Sequence, residues 1–433
     1  MNMPLFSATL KRWGPKGGLA VLDQGFFSGS NFILNILLAR WLDASEYGAY
    51  SITFALFLFV TGIHNSLILE PMAVLGPANH GNHRSEYLLN QFALHLAVTL
   101  FAGLLLALVG GLLFATSRAS SVIGQSILGL GLFLPMIMLI WLVRRIFYVI
   151  QNPAGSLFSS AVYVIFLLGG SWLIHDRVTE PPLYYWFGIL GIAGLISGLI
   201  PLLLWRSLLT NTPHNPKFVS MEVFSEHWTF GKWVMIATVF NFIATQIQIF
   251  AVATILSLDA AGAWRAAQNF ILPMMQIITA IVTLALPSMA SNFGRGELEW
   301  LKRKGLMVTI LLFLLSVIYT SILVVFASPI NRLFYVDKFV FTISLISMIG
   351  LVTILTAAES GFALILRTMQ RPTYYLIYTV AMSISGLIFC PWLVWHLGLL
   401  GAGISQVVVG LTSLSVNAYL YKTWFHSMNI KEI

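Results

Sequence analysis

Two stripes of uncharged polar side chains run along apolar segments of this chain. The first stripe consists of Gln24, Ser28, Asn31 and Asn35, and the second of Thr238, Asn241, Thr245 and Gln248. The steps of three and four residues place each stripe on one face of a helix. Such a face is costly against lipid, because its side chains lose water without gaining hydrogen-bond partners. We therefore expect the stripes to face each other or a hydrated cavity, unless they form hydrogen-bonded contacts between neighbouring helices.

Charged side chains within apolar segments form a second group of candidates, because charges are expensive in a membrane. Asp23, Glu70 and Glu359 are candidate proton or cation sites. For Asp23 the alternative is a favourable interaction with the dipole at the helix start, and for Glu359 it is pairing with a basic neighbour. His64 is a candidate proton relay because histidine titrates near neutral pH. The alternative is a neutral histidine that bonds to a neighbouring helix.

A third polar group lies in a segment that two prolines interrupt. It contains Arg265, Gln268 and Gln276, and the prolines are Pro273 and Pro287. A proline leaves a backbone carbonyl without its helical donor and permits bending, so we expect a bent helix that suits a gating element. Arg265 would then meet an anionic ligand, or else pair with Asp259 or extend to the outer membrane surface.

Lys16 and Lys232 occupy equivalent places before the first and seventh apolar segments. Two cations flanking a cleft would attract a diphosphate group by electrostatic focusing. The general excess of Lys and Arg on the cytoplasmic side of membrane proteins explains the same two residues.

The composition argues against several other kinds of site. Cys390 is the single cysteine, so no intramolecular disulfide forms, and no Cys/His cluster has the spacing of a metal site. A Gly-rich phosphate loop of the Walker type is also missing from the sequence. We expect no metal and no cofactor. The net charge of +8 indicates basic loops facing anionic lipid rather than a nucleic-acid partner.

The elements that carry these residues are long apolar blocks, and 58% of the 433 residues are hydrophobic while only 9% are charged. Each block has the roughly 20 apolar residues needed to cross a bilayer. We predict an all-α polytopic membrane protein. The twelve predicted transmembrane helices cover residues 19–40, 48–76, 87–115, 121–150, 157–174, 183–206, 226–256, 260–291, 301–328, 340–369, 371–395 and 398–424.

The basic residues predict the orientation of these helices. Most Lys and Arg fall on one side, which places both termini in the cytoplasm. Arg144 and Arg145, at the end of the fourth helix, are counted on that side.

The two halves of the chain repeat each other. Gly48-Ala49-Tyr50 matches Gly262-Ala263-Trp264, Gln151-Asn152-Pro153 matches Gln370-Arg371-Pro372, and three members of the two stripes match at one constant offset. We predict two six-helix lobes, residues 1–210 and 226–433, joined by a cytoplasmic linker at 211–225. An even number of helices per half gives a parallel repeat, as in secondary transporters with a central path.

Several of these segments resemble a known family. Residues 22–24, 38–42 and 46–50 are similar to the opening of bacterial polysaccharide transporters. Residues 262–268 resemble the eighth helix of that family, and residues 395–404 resemble the turn before its twelfth. These transporters belong, with O-antigen and exopolysaccharide flippases, to one branch of the multidrug/oligosaccharidyl-lipid/polysaccharide exporter superfamily.

The resemblance implies two lobes that form a V around a cavity lined by the first, second, seventh and eighth helices. It implies alternating access without ATP and no enzymatic activity. The implied function is an inner-membrane flippase or exporter of a lipid-linked oligosaccharide or polysaccharide precursor. The implied partners are a polyprenyl-diphosphate-linked sugar as substrate, membrane lipids and polysaccharide assembly proteins. Arg265 falls where related flippases tend to place a cavity arginine, whereas the neutral stripe beside Asp23 makes lipid II a less favoured substrate.

Two other interpretations stay open. A multidrug cation antiporter of the same fold needs acidic residues as the dominant charge of its cavity. An integral-membrane sugar transferase or polymerase needs catalytic acids and a sizeable polar loop, and the sequence shows neither.

Overall fold

The structure is a computed structural model that describes residues 3–80, 84–116, 118–205, 220–339, 341–368 and 372–429. These residues form helices and short connections, without a strand in the described ranges. The helices are α1 (Met3–Trp41), α2 (Ala44–His64), α3 (Glu70–Asn79), α4 (Arg84–Thr116), α5 (Arg118–Val149), α6 (Pro153–Arg177), α7 (Leu183–Leu204), α8 (Met221–Ile255), α9 (Leu258–Gln268), α10 (Leu272–Gly294), α11 (Leu298–Val325), α12 (Ala327–Tyr335), α13 (Ile343–Thr368) and α14 (Pro372–Asn429).

Within the described ranges, ten helical segments are long and apolar enough to cross a membrane. Large apolar side chains cover their outer surfaces. Phe101 and Leu104 on α4 are 74% and 70% exposed, and Leu306 and Ile318 on α11 are 61% and 58% exposed. Surfaces of this kind are unfavourable in water and stable against acyl chains. The chain is therefore an all-helical, multi-pass membrane protein, as its composition predicts.

The predicted eleventh and twelfth transmembrane helices both lie within α14, which is interrupted at Gly398. This glycine has a φ of 60° and a ψ of −138°. L-residues with a side chain avoid this conformation, whereas glycine adopts it readily. The chain changes direction at the position where the sequence predicts the twelfth helix to begin.

The predicted eighth transmembrane helix is divided rather than simply bent. Its first part, α9, ends at Gln268, and its second part, α10, begins at Leu272. Pro273 stands in the first turn of α10, where a missing backbone N–H costs little. The same missing N–H leaves the carbonyl of Asn269 without an α-helical donor, so the helix breaks before the proline.

A second proline reshapes the junction of α2 and α3. Pro71 cannot donate to the carbonyl of Leu67, four residues earlier. The backbone forms a π-helical turn over Asn65–Leu69, and the N–H of Glu70 donates to the carbonyl of Asn65. Single π-helical turns of this kind occur often at functional sites.

The chain forms two compact units. Unit 1 comprises Met1–Trp41 and Leu56–Met235, and unit 2 comprises Leu42–Ala55 and Ile236–Ile433. The first turns of α2 therefore group with unit 2, and the first turns of α8 group with unit 1. Residues 206–219, which include most of the predicted linker at 211–225, lie outside the described residues. The predicted lobes at 1–210 and 226–433 stay a prediction.

Within unit 2 the first match of the internal repeat forms a reciprocal contact. A Cβ atom added to Gly48 would collide with the carbonyl of Leu258, and one added to Gly262 would collide with the carbonyl of Ala44. Ala44 stands four residues before Gly48, and Leu258 stands four residues before Gly262. The contact is thus locally two-fold symmetric. It requires small residues because two helix backbones meet there without side chains between them.

Candidate functional site

In unit 1, Asp23 is the centre of a buried ion-pair cluster. Its side chain is fully buried, and Arg144 on α5 donates to both carboxylate oxygens, from Nε at 3.2 Å and from Nη2 at 2.8 Å. Tyr148 donates to the same carboxylate at 2.6 Å, and two hydroxyls on α6 donate at 2.9 Å and 2.5 Å, from Ser156 and Ser160. Five donors therefore surround one carboxylate. This arrangement stabilises its negative charge and leaves little room for a competing cation.

Arg144 is a functional residue that sequence reasoning did not single out. The sequence analysis counts it with the cytoplasmic basic residues, and the structure shows that it is buried within α5, where its side chain is 9% exposed. Its guanidinium also lies over the ring of Phe27, 4.0 Å from the ring centroid, and donates to Gln24 Oε1 at 3.2 Å. An unpaired acid in an apolar segment was the available signal, because Asp23 needs a cationic partner.

The first polar stripe lies on α1, next to this cluster. Gln24 is exposed and donates to Ser28 at 2.8 Å. Asn31 and Asn35 donate to backbone carbonyls one turn earlier, at 2.8 Å each, and Tyr163 donates to Asn31 at 3.2 Å. The stripe is thus ordered by local hydrogen bonds, and its exposed end lies at Gln24.

The remaining candidates of unit 1 are Glu70 on α3, Lys232 on α8 and Lys16 on α1. Glu70 is half-buried, bonds to Asn65 and is attracted by Arg145, which donates to Asn65 at 3.4 Å. Lys232 is half-buried beside the ring of Trp233. Lys16 precedes the first residue of α1 whose side chain is described, so its role stays a prediction.

The described part of unit 1 also contains three buried histidines. His64 on α2 and His95 on α4 are bonded to each other, with His64 Nε2 and His95 Nδ1 3.0 Å apart. His227 on α8 is bonded to Tyr87 at 2.9 Å and to the carbonyl of Leu67 at 2.9 Å. The sequence analysis singles out His64, and the structure gives it a histidine partner on a neighbouring helix.

In unit 2 the second polar stripe lies along α8. Thr238, Asn241 and Thr245 are half-buried, and Thr245 donates to the carbonyl of Asn241 at 2.8 Å. Gln248 is fully buried, and neither its amide nitrogen nor its amide oxygen has a partner among the described residues. A buried polar group without a partner costs about 1–3 kcal/mol. Gln248 is therefore a position where a polar ligand or water would be stabilised.

Arg265 lies on α9 in an aromatic environment of unit 2. The residue is 8% exposed, its guanidinium carbon is 4.9 Å from the ring centroid of Phe54, and its Nε has no partner among the described residues. One turn further, buried Asn269 donates to the hydroxyl of Tyr47 at 3.0 Å and to that of Tyr335 at 3.3 Å. The described part of unit 2 places no carboxylate within ion-pair distance of Arg265.

The other candidates of unit 2 lie apart from Arg265. Gln268 is half-buried at the end of α9, and Gln276 is exposed on α10. Glu359 is half-buried on α13, where Asn417 donates to it at 3.4 Å, Ser413 bonds to it and Arg367 attracts it. The described residues contain no group of three or more His, Cys, Asp and Glu side chains that would hold a metal ion.

Known proteins resemble this chain in part of its sequence and in its fold. A family model described as "Polysaccharide biosynthesis protein" matches residues 189–297, which is less than half of the chain. A search of curated proteins found no match.

Solved structures match over nearly the whole chain. An inward-facing multidrug resistance MATE family transporter of the MOP superfamily has a TM-score of 0.73 at 14% identity, covering 96% of this chain and 100% of its own. The lipid II flippase MurJ in an inward closed conformation has a TM-score of 0.72 at 14% identity, covering 93% and 87%. The MATE multidrug transporter DinF-BH has a TM-score of 0.69 at 16% identity, covering 95% and 94%. These likenesses establish that the chain has the fold of MOP superfamily transporters.

Proposed function

We propose that this protein is a flippase or exporter that moves a lipid-linked oligosaccharide or polysaccharide precursor across the bacterial inner membrane. It works by alternating access without ATP, and both of its termini lie in the cytoplasm. The multi-pass fold shared with transporters, the match to a polysaccharide biosynthesis family and the likeness to a lipid II flippase support this proposal. The substrate is a polyprenyl-diphosphate-linked sugar, whose lipid tail stays in the bilayer.

The observation that carries the proposal is the contrast between two buried arginines. Arg144 is neutralised by Asp23, whereas Arg265 is buried with no carboxylate at ion-pair distance in the part of unit 2 that is described. A buried cation without a counter-charge is costly. It is stabilised when an anion arrives, and guanidinium groups bind phosphate oxygens in a bidentate geometry. Arg265 is therefore suited to the diphosphate of the substrate.

Other polar groups of unit 2 that lack partners suit the rest of the headgroup. Gln248 and the Oδ1 atom of Asn269 are buried acceptors and donors without partners in the described structure. Sugar hydroxyls satisfy such groups, and aromatic rings such as Phe54 provide apolar faces for sugar rings. On the cytoplasmic side, Lys16 and Lys232 attract the diphosphate before it enters.

A multidrug cation antiporter is the second candidate, and Glu359 favours it. This acid is half-buried on α13, where two uncharged side chains, Asn417 and Ser413, are its hydrogen-bond partners. An antiporter of organic cations would use Glu359 and would tolerate the loss of Arg265.

The test is flipping of a fluorescent polyprenyl-diphosphate disaccharide by the purified protein in liposomes, followed by chemical quenching of the outer leaflet. The variant Arg265→Ala removes a charge-assisted hydrogen bond worth about 1.5–3 kcal/mol, so its initial rate should fall about 10- to 100-fold. Arg332→Ala is the matched control, because Arg332 is an exposed arginine of the same unit that pairs with Asp337.

Equal rates for Arg265→Ala and the parental protein would remove Arg265 from the substrate site. Transport of an organic cation that depends on Glu359, without flipping of the lipid-linked sugar, would replace the proposal by the antiporter.

A further inference from the structure

The buried pair of His64 and His95 has a hydrogen-bond pattern that can be assigned atom by atom. His95 Nε2 lies 3.2 Å from the carbonyl oxygen of Pro135. A carbonyl only accepts, so His95 Nε2 carries the proton. In a neutral imidazole the other nitrogen, His95 Nδ1, then has a lone pair. That lone pair faces His64 Nε2 at 3.0 Å, so His64 Nε2 is the protonated donor.

This assignment leaves one ring nitrogen of the pair as a free acceptor. With its proton on Nε2, His64 has a lone pair on Nδ1. That atom is buried, and no donor among the described residues reaches it. A proton added at His64 Nδ1 would therefore break none of the hydrogen bonds of the pair.

His227 provides the contrast within the same unit. Its Nδ1 lies 2.9 Å from the carbonyl of Leu67, the carbonyl that Pro71 leaves without an α-helical donor, so Nδ1 is protonated. Its Nε2 accepts from Tyr87 at 2.9 Å and lies 3.3 Å from the amide nitrogen of Gln91. Both nitrogens of His227 are occupied, so a further proton would displace existing donors.

The charged and titratable surroundings of His64 come from several helices. On α4 it faces His95. From α5, Arg145 donates to Asn65, the residue next to His64, and from α3, Glu70 lies opposite Arg145. Arg145 and Glu70 attract each other beside Asn65, and in the described part of unit 1 neither histidine of the pair is hydrogen-bonded to a charged side chain.

The position of His64 in the chain links it to the proposed substrate site. His64 directly precedes the π-helical turn, and it lies on the same helix, α2, as Phe54, which contacts Arg265. Phe54 belongs to unit 2 and His64 belongs to unit 1, so α2 contributes residues to both units.

We infer that the His64–His95 pair is the proton site that couples transport to the proton gradient, with one proton taken up at His64 Nδ1 for each substrate moved. This inference rests on the proposed function, because it names the ion that drives the flippase. Burial means that the proton reaches His64 only when α2 and α4 admit water, so protonation is tied to one conformation of the transport cycle.

The experiment measures the steady-state distribution of the fluorescent polyprenyl-diphosphate disaccharide between leaflets as a function of the pH difference, with the membrane potential clamped. One coupled proton contributes 1.36 kcal/mol per pH unit, so the leaflet ratio of the parental protein should change about tenfold per unit. The variant His64→Gln keeps an amide donor toward His95 but takes up no proton. Its leaflet ratio should not respond to the pH difference.

His227→Asn is the matched control. The asparagine amide still donates to the carbonyl of Leu67, and both ring nitrogens of His227 already have hydrogen-bond partners in the parental protein. It should retain the tenfold response. A His64→Gln variant that is monodisperse and still responds tenfold would overturn the inference, and so would a parental protein that flips substrate with no response to the pH difference.

A second measurement tests the proton site without transport. Nitrogen magnetic resonance of the ¹⁵N-histidine-labelled protein in liposomes should show one buried ring nitrogen that gains a proton on acidification and whose signal is missing in His64→Gln. If that variant does not fold, the parental spectrum decides, since an unchanged set of buried ring nitrogens contradicts the inference. A failure of flipping by the parental protein refutes the proposed function and leaves this spectrum as a separate test.

Discussion

Replacing Arg144 by methionine should destabilise unit 1 more than any exposed substitution in it. The change removes the only cation bonded to the fully buried carboxylate of Asp23 in the described residues, at 2.8 Å and 3.2 Å. At an effective dielectric constant of about 20, the attraction over 2.8 Å is about 6 kcal/mol before desolvation is subtracted. Breaking a buried pair from one side typically costs about 3–5 kcal/mol, and we expect a loss in that range.

The second half of this prediction concerns the double variant Asp23→Asn/Arg144→Met. It leaves no charge in the cluster, and the hydroxyls of Tyr148, Ser156 and Ser160 remain to bond the new amide. Replacing both members of a buried ion pair is often neutral. The double variant should therefore recover most of the stability that Arg144→Met loses.

The assay is reversible unfolding in mixed detergent and SDS micelles, followed by tryptophan fluorescence. Arg177→Met is the control, because Arg177 pairs with Asp176 at the exposed end of α6, and exposed pairs contribute little. A loss for Arg144→Met no larger than that for Arg177→Met would refute the reasoning. A double variant as unstable as Arg144→Met would show that lost packing, rather than an uncompensated charge, is the cause.

Three further predictions concern unit 2. Asn269→Leu removes the donor to two buried tyrosine hydroxyls and should cost about 1–3 kcal/mol in the same unfolding assay; an unchanged midpoint would contradict this. Gly262→Ala should lower the yield of monodisperse protein, because its Cβ meets the carbonyl of Ala44, whereas Gly294→Ala, which meets nothing within 4 Å, should not. The buried thiol of Cys390 should react with a membrane-permeant maleimide only after unfolding, and rapid labelling of the folded protein would show that α14 packs differently.

Local features of the chain were predictable from the sequence. The apolar blocks are long enough to cross a bilayer, and the structure has helices at these positions. The breaks at Gly398 and before Pro273 also follow from local chemistry, because a φ of 60° suits glycine and proline lacks an N–H. The small residues of the repeat marked a close backbone contact, although the sequence did not show that Gly48 and Gly262 are reciprocal partners.

The partners of the charged residues could not be predicted from the sequence. Asp23, an isolated acid in the sequence analysis, is paired with Arg144, which lies 121 residues further along the chain. Arg144 itself was counted among the cytoplasmic basic residues, because it lies near a helix end. Its burial could not be predicted from that position.

Composition and local backbone rules thus determined that this chain is a polytopic helical protein, where its helices run and which polar residues they carry. Only the tertiary structure decided that Asp23 is neutralised, that Arg265 is not within ion-pair reach of a described acid, and that His64 bonds to His95. The physical reason is that lipid is as apolar as the helix surfaces, so hydrophobicity alone does not select which helix faces meet. The pairing of the few polar groups is fixed by which helix faces meet, and no local pattern encodes that.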